Sequence, residues 1–375
     1  MSKTSPQHTI GKIPVKNLWL LMLYASALAK HVLRDTPPKK QDYEKNPEDI
    51  LNLVAEILTS AVERRLRRNI TVELDRTRSD LTRVRGRIDH IRTERAHLLQ
   101  HGMVACIFDE FTTDTPKNRL VRRALDKLSQ THSLGAEWKR RCRSDSLALE
   151  KAGVGRNATG LGSNSRAGWT PSSIAMRSPE DWMMLAAAEL ALNLRIPAEK
   201  DGHAYLDALD RTNHDWIRNL FERAVAGFYH AKFPEWSVNH GDKIKWQKES
   251  PTKGIAQIFP DMTTDITIER TDLHTNTRSR IIIDTKFTEI TTASQYKSHI
   301  LKSGHIYQLY TYLRSQERKN DEPSCRTSGM LLYPSVDGDV DESVTIQNHK
   351  FRFATVDLSK DSTSIRNRLM HLIQS

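Results

Sequence analysis

Apolar residues in the first part of the chain follow a helical period and then a strand period. From Ile50 to Ala61 they recur every three or four positions, which predicts one buried face of a helix. From Ile70 to Leu74 they alternate with polar residues, and Leu81 to Ile88 continues this pattern with Gly86 as a bend or bulge. These patterns predict a mixed α/β module.

The second part of the chain carries stronger patterns. A stripe of apolar residues from Trp216 to Phe228 predicts an amphipathic helix, which Pro234 ends. Two runs rich in Ile and Thr, between Thr263 and Phe287, predict a β-hairpin. Shorter patterns predict a helix over His305–Leu313 and strands over Met330–Tyr333 and Phe351–Val356.

Between these two parts lies a stretch rich in Gly, Ser and Asn. It predicts a linker or loop at residues 151–175, which separates an N-terminal domain at residues 1–150 from a C-terminal domain at residues 176–375. The predicted fold class is α+β, with a mixed α/β N-terminal domain and a C-terminal mixed sheet flanked by helices. The Gly-x-Gly pieces of the stretch do not continue into Gly-Lys-Ser/Thr, so no P-loop is predicted.

The net charge is the feature of the composition that says most about function. The 375 residues hold 57 Lys and Arg against 46 Asp and Glu, a net charge of +11. An excess of this size favours an anionic partner, and double-stranded DNA before a membrane surface. The three cysteines have no metal-ligand spacing, which indicates a reducing cytoplasm.

The segment from Lys12 to Ala27 imitates a signal peptide, with basic residues before an apolar run. The apolar pattern continues into Leu28 and Val32, as expected for a buried N-terminal helix, and secretion is the second interpretation. The run is also too short to span a bilayer.

The predicted hairpin brings acidic residues together. If its turn centres near His274 and Thr275, Asp265 lies opposite Asp284, and Ile266 lies opposite Ile283. Since side chains alternate along a strand, the isoleucines with Phe287 form an apolar face. The other face holds Asp265, Thr267, Asp284 and Lys286.

Two carboxylates on one patch repel each other unless a cation lies between them. Mg²⁺ is the natural occupant, and a bound Mg²⁺ can acidify water and stabilise charge on a phosphate. Lys286 can orient or deprotonate that water, so the pattern predicts phosphodiester hydrolysis, with a surface salt bridge as the alternative. Asp261 competes with Asp265 as the first metal ligand, although the register places it beyond the strand end.

Two further residues are candidates for the same site. Glu222 flanks the apolar stripe of its helix and is a possible third metal ligand, or an ordinary solvated helix residue. Gln308 lies beside the buried stripe of the helix that follows the hairpin. It is a candidate to hold a phosphate or the Lys286 amine, or else a plain exposed side chain.

The hairpin resembles the PD-(D/E)XK nuclease superfamily, in which Asp, Asp/Glu and Lys lie on adjacent strands of a mixed sheet. More of the chain is similar to the McrC family. The similar blocks occur in the family's order: Ile13–Ala25, Val84–Asp89, Phe108–Thr115 with Asn118 and Arg119, Thr264–Ile266, Ile283–Lys286, and Tyr307 with Gln308.

The resemblance implies the nuclease subunit of a modification-dependent restriction system. Its C-terminal domain would cleave DNA with Mg²⁺. Asp265, Asp284 and Lys286 are the residues expected to carry this chemistry, and Glu222 and Gln308 are the further candidates. Its N-terminal domain would dock on a hexameric AAA+ GTPase of the McrB type, which binds the GTP and whose hydrolysis this chain would stimulate. Arg83, Arg85 and Arg87, taken as alternating on one strand, are the candidate docking face, with contact to DNA phosphate or plain solvation of the strand as the alternatives.

Other functions remain open at this stage. They are a non-catalytic activator of an AAA+ motor, a free-standing DNA-binding nuclease, and a basic DNA-binding regulator without catalysis. The complete Asp265, Asp284 and Lys286 set argues against the first. Without a metal, the carboxylate patch would repel phosphate, which argues against the last.

Overall fold

A computed structural model gives the architecture. It describes residues 12–29, 49–68, 70, 72–156, 179–194, 205–207, 214–271, 277–292, 300–318, 321–336 and 338–374. The predicted linker at 151–175 and the predicted turn near residues 274 and 275 therefore lie largely outside the described residues.

The described chain contains both helices and strands. The helices are α1 Val15–Ala25, α2 Asp49–Arg68, α3 His90–Arg95, α4 Pro116–Gln130, α5 Ala136–Lys151, α6 Pro179–Asn193, α7 His214–Lys232, α8 Ile255–Ile258, α9 Ser303–Ser315, α10 Glu322–Cys325 and α11 Ser362–Gln374. The strands are β1 Lys12–Pro14, β2 Glu73–Leu81, β3 Arg87–Ile88, β4 Val104–Thr112, β5 Tyr205–Asp207, β6 Ser237–Ile244, β7 Met262–Thr271, β8 Arg278–Thr285, β9 Thr291–Thr292, β10 Ile300–Leu301, β11 Ser328–Ser335, β12 Asp341–Ile346 and β13 His349–Asp357. This mixture confirms the predicted α+β class.

The chain forms two compact units, one of residues 1–51 and 193–375 and the other of residues 52–192. The division differs from the predicted domains because α1 packs against α7 and belongs with the C-terminal part. Gly227 permits this close approach, since a Cβ there would lie 1.9 Å from the Tyr24 carbonyl oxygen.

Helix α1 is a buried core helix, as predicted. Leu18, Leu20 and Leu23 have no exposed surface, and Tyr24 packs edge-on against Phe228 of α7. The amide of Asn17, also buried, donates to the carbonyl oxygen of Leu358 over 2.7 Å. Among the described residues, no helix combines the length and apolar composition needed to cross a bilayer.

The larger unit is built around a six-stranded sheet in the order β12-β13-β11-β8-β7-β6. Strands β8, β11 and β13 run parallel, and β7 and β6 extend the sheet antiparallel. Helix α9 connects β8 to β11 and packs on both. On the other face, Phe221 of α7 meets Phe287, just after β8, with ring centroids 6.0 Å apart.

The smaller unit holds a three-stranded antiparallel sheet in the order β2-β4-β3. Helix α4 follows it and begins at Thr115, whose hydroxyl accepts a hydrogen bond from the Asn118 N–H while Pro116 fills the first turn. Helices α4 and α5 pack on each other through the apolar side of α4, with Val121, Ala124 and Leu125 almost fully buried. The predicted mixed α/β character of this region is confirmed.

Candidate active site

The register of the hairpin agrees with the prediction. Ile266 pairs with Ile283 and Ile268 with Ile281 across β7 and β8. Continued by one position, this register sets Asp265 opposite Asp284. The structure therefore brings the two predicted carboxylates to neighbouring positions on adjacent strands, near the end of β8.

The second face of the hairpin carries an apolar residue as well as polar ones, and much of it is buried. Ile282 lies on this face and has no exposed surface, in a core cluster with Leu309 and Leu313 of α9. Asp284, on the same face, is also fully buried. Helix α9 packs against β8, and Asp284 therefore does not lie on the surface, as the alternative of a surface salt bridge requires.

Asp265 is held by the last residue of its partner strand β8. Its Oδ2 accepts hydrogen bonds from the backbone N–H of Thr285 at 2.7 Å and from the hydroxyl of Thr285 at 2.9 Å. Burial and the nearby charge of Glu222 nevertheless raise the pKa of Asp265, against the lowering effect of these hydrogen bonds and of Lys286. The Asp265 carboxylate is thus oriented by hydrogen bonds, but the positive charge near it does not offset its burial and the charge of Glu222.

Asp284 is the most perturbed acid of the site. Burial, followed by the charge of Asp265, raises its pKa to about 6, although Lys286 opposes the shift. The Lys286 ammonium lies 2.8 Å from Oδ2, while Oδ1 is buried and has no hydrogen-bond partner among the described residues. A buried carboxylate oxygen without a partner is costly, and a bound cation would offset that cost.

Lys286 is fixed from a second direction. Its ammonium donates to Oε1 of Gln308 over 3.0 Å, and Nε2 of Gln308 donates to the hydroxyl of Tyr312 over 2.7 Å. The predicted contact between Gln308 and the Lys286 amine is therefore present. Sequence analysis missed Tyr312, which lies one helical turn after Gln308, and that spacing of four was the signal available.

Glu222 lies close enough to raise the pKa values of both aspartates. Its Oε1 lies 2.9 Å from Nε2 of His240, on the neighbouring strand β6. Within the part of the chain that the structure describes, no group of three His, Cys, Asp or Glu side chains is arranged to hold a metal ion. Asp265 and Asp284 form the acidic pair, and Glu222 as a third ligand stays a prediction.

Asp261 is separate from this pair. It precedes β7 and is exposed. The loop around it is anchored by the indole N–H of Trp246, which donates to the carbonyl oxygen of Pro260 over 2.9 Å. The structure thus places Asp265, and not Asp261, beside Asp284.

The three arginines proposed for docking do not share a strand. Strand β2 ends at Leu81 and β3 contains only Arg87 and Ile88, so Arg83 and Arg85 lie in the connection. Gly86 has φ +69, and a Cβ there would lie 2.5 Å from the Ile107 carbonyl oxygen. This left-handed residue breaks the alternation on which the predicted common face depended.

Arg85 has contacts of its own. Its guanidinium lies 4.2 Å from the centre of the Phe108 ring and 3.1 Å from Oε1 of Glu110. Arg83, Arg85 and Arg87 are all exposed. The prediction that the three arginines share one strand face is wrong. A role of these residues in docking stays a prediction.

Comparison with known proteins gives the family. A family model described as "McrBC 5-methylcytosine restriction system component" matches residues 2–152 and 217–334, which together are well over half of the chain. The chain belongs to this McrBC family. The matched ranges contain both aspartates, Lys286, Glu222, Gln308 and the three arginines, and the resemblance to McrC found in the sequence is confirmed.

Two relatives extend over nearly the whole chain. The chain is 22% identical over 366 residues, 96% of this chain and 97% of the relative, to a protein of Escherichia coli K12 described as "Type IV methyl-directed restriction enzyme EcoKMcrBC". It also matches a chain of a solved structure described as a half-complex from a tetradecameric assembly of Thermococcus gammatolerans McrB AAA+ hexamers with bound McrC. That match has 14% identity and a TM-score of 0.41, and it covers 98% of this chain and 83% of the other.

Proposed function

We propose that this component of an McrBC restriction system is its DNA-cleaving subunit, a Mg²⁺-dependent endonuclease that hydrolyses phosphodiester bonds of modified DNA. One observation carries the proposal. Asp284 is fully buried beside Asp265, with one oxygen ion-paired to Lys286 and the other without a partner among the described residues.

The donor atoms fit a hard divalent cation. Mg²⁺ is bound in proteins through one or two carboxylates, with water and phosphate oxygens in the remaining positions. Asp265 and Asp284 would supply these carboxylates, and Glu222 lies near enough to act on both electrostatically. When bound, Mg²⁺ supplies Lewis acidity, which lowers the pKa of a bound water and neutralises charge on the phosphate.

The chain contributes the positioned ammonium of Lys286. Asp284 and Gln308 hold it from two sides, at 2.8 Å and 3.0 Å, so little reorganisation is required when substrate binds. From this position Lys286 orients the attacking water and offsets negative charge that develops on the phosphate oxygens. Tyr312 keeps the Gln308 amide turned with its oxygen toward the lysine.

We further propose an AAA+ GTPase of the McrB type as partner. The sequence contains no P-loop, so hydrolysis of GTP must occur on another chain. Membership of the McrBC family supports a subunit that works within such a complex. The region of Arg83, Arg85 and Arg87 remains our candidate for contact with it, now as an exposed turn rather than a strand face.

The test combines the full chain with an AAA+ GTPase of the McrB type, GTP, Mg²⁺ and DNA that contains 5-methylcytosine. We expect cleavage by the parent and none by Asp265→Asn, Asp284→Asn or Lys286→Ala, while Asp261→Asn cuts like the parent. Cleavage retained in all three site variants would overturn the assignment to this patch.

The same experiment separates the alternatives. A non-catalytic activator would raise GTP hydrolysis by the partner while the DNA stays intact. A free-standing nuclease would cut DNA without the GTPase, and the two proteins would not co-migrate in size-exclusion chromatography. A loss of cleavage in Asp284→Asn with normal stimulation of GTP hydrolysis would locate both functions in one chain.

A further inference from the structure

A histidine and a tyrosine lie together beside the acidic pair and take no part in the chemistry proposed so far. Nδ1 of His305, in the first turn of α9, lies 3.0 Å from the hydroxyl of Tyr333 in β11. Leu331 of β11 pairs with Asp284 of β8. Because side chains alternate along a strand, Tyr333 projects on the same face as Asp284, two residues further along.

The tyrosine determines which nitrogen of His305 carries the proton. Tyr333 is fully buried, and its hydroxyl has one hydrogen-bond partner among the described residues, His305. Burial and the charge of Asp284 raise the pKa of Tyr333, so the phenol keeps its proton. A buried hydroxyl donates to the acceptor within reach, so Nδ1 accepts and the proton of the neutral imidazole resides on Nε2.

The surroundings of His305 are positive. Burial and the charges of Lys286 and Lys302 lower the pKa of His305, which favours the neutral ring. Lys302 is held at the end of β8 by its hydrogen bond to the hydroxyl of Thr288, at 2.6 Å. The site therefore has an acidic side at the two aspartates and a donor-rich side at Lys286, Lys302 and His305.

We infer that His305 contacts the substrate, donating a hydrogen bond from Nε2 to a non-bridging oxygen of the phosphate that is cut. The inference rests on the proposed nuclease function and adds a residue to it. Tyr333 acts through His305 as a positioning residue, because its hydroxyl fixes the tautomer that presents a donor. A neutral donor at this point stabilises the phosphate without competing with the lysines for space or charge.

Two substitutions of His305 distinguish the ring nitrogens. Glutamine places an amide N–H near the position of Nε2, whereas asparagine places one near Nδ1. With the full chain, its GTPase partner and methylated DNA, we expect His305→Asn to lower kcat on the order of 10²-fold with a smaller change in KM. We expect His305→Gln to retain most of the parent activity.

Tyr333→Phe supplies the second arm. It removes the hydroxyl that holds Nδ1, so we expect a loss smaller than that of His305→Asn and a signal from the other tautomer in NMR spectra of histidine-labelled protein. Tyr310→Phe is the matched control. Tyr310 lies on α9 with His305, and its exposed hydroxyl donates to Oε1 of Gln347 over 2.7 Å. Loss of this hydroxyl should leave cleavage unchanged.

The outcomes separate the two claims. If the parent protein does not cut DNA, the proposed function itself fails. If the parent cuts and His305→Asn and His305→Gln both cut equally well, or both lose activity equally, the Nε2 contact is overturned. Retention by the glutamine variant alone, with parent-like thermal unfolding in both, supports it.

Discussion

The central strands of the six-stranded sheet and the strands of the smaller sheet place charge in opposite environments. In β8, Asp284 is fully buried under α9 and its pKa is raised to about 6. Beside β4, the Arg85–Glu110 pair has side chains that are 54% and 46% exposed. The buried carboxylate of Asp284 is therefore suited to binding a cation, whereas the exposed charges of Arg85 and Glu110 are suited to contact with a partner.

This difference in burial indicates that catalysis belongs to the six-stranded sheet and partner binding to the smaller sheet. An exposed ion pair contributes about 0–1 kcal/mol, since water screens it, and its charges remain available to a partner. A buried carboxylate without full compensation destabilises the fold and attracts a cation. Removing charges from the two sheets should therefore have very different consequences.

The largest effect is expected in cleavage when the buried acid is neutralised. Asp284→Asn keeps the shape of the side chain but removes a ligand charge, so we expect a loss of activity on the order of 10³-fold or more. Stability of the metal-free protein should not fall, because an unfavourable buried charge is removed. Steady-state cleavage and urea denaturation of the same preparation test both statements, and a strongly destabilised variant would contradict the second.

Next in size is a packing change away from the site. Gly227→Ala would set a Cβ 1.9 Å from the Tyr24 carbonyl oxygen, so α1 and α7 must separate. We expect a loss of about 3 kcal/mol or more in the free energy of unfolding, measured in urea. At Gly254 a Cβ would meet nothing within 4 Å, and Gly254→Ala is the control. Equal stability of the two variants would refute the close contact.

The pH dependence of stability should reveal Asp284 directly. Its pKa is raised from 3.8 to about 6, so between these values the folded state holds a proton that the unfolded state releases. The free energy of unfolding without metal should fall as pH rises through this window, by up to about 3 kcal/mol, and then level off. Asp284→Asn should abolish this contribution, and Mg²⁺ should stabilise the parent most above the window. A parent and variant with parallel pH profiles would contradict the assignment.

The smallest effect on stability is expected on the exposed pair. Arg85→Ala should change the free energy of unfolding by less than about 1 kcal/mol, because the pair with Glu110 is screened. If this turn meets the GTPase, the same variant should lower stimulation of GTP hydrolysis while cleavage-site chemistry is intact. Lys151→Ala, at an exposed lysine of α5, is a charge-matched control. Unaltered stimulation in Arg85→Ala would remove this arginine from the docking hypothesis.

The sequence by itself determined the hairpin and its register, and the structure then chose Asp265 over Asp261 as the neighbour of Asp284. Isoleucines recur at alternate positions in both runs, which is a local signal, and one register places Ile266, Ile268, Ile281 and Ile283 on a common face. That register is observed, with Ile266 opposite Ile283. Helices α1 and α7 could be predicted from their apolar residues as well, because burial of one helix face imposes a period on the sequence.

Only the tertiary structure decided how deeply the site is buried and what holds it. The Asp284 side chain is enclosed because α9 packs on β8 and β11. This packing brings Gln308 to Lys286, and Gln308 and His305 are held in turn by Tyr312 of α9 and Tyr333 of β11. Contacts between residues far apart in the chain leave no period in the sequence. The predicted common face of Arg83, Arg85 and Arg87 failed for a related reason. The alternation of these side chains predicted one strand, but Gly86 is in the left-handed conformation and interrupts it.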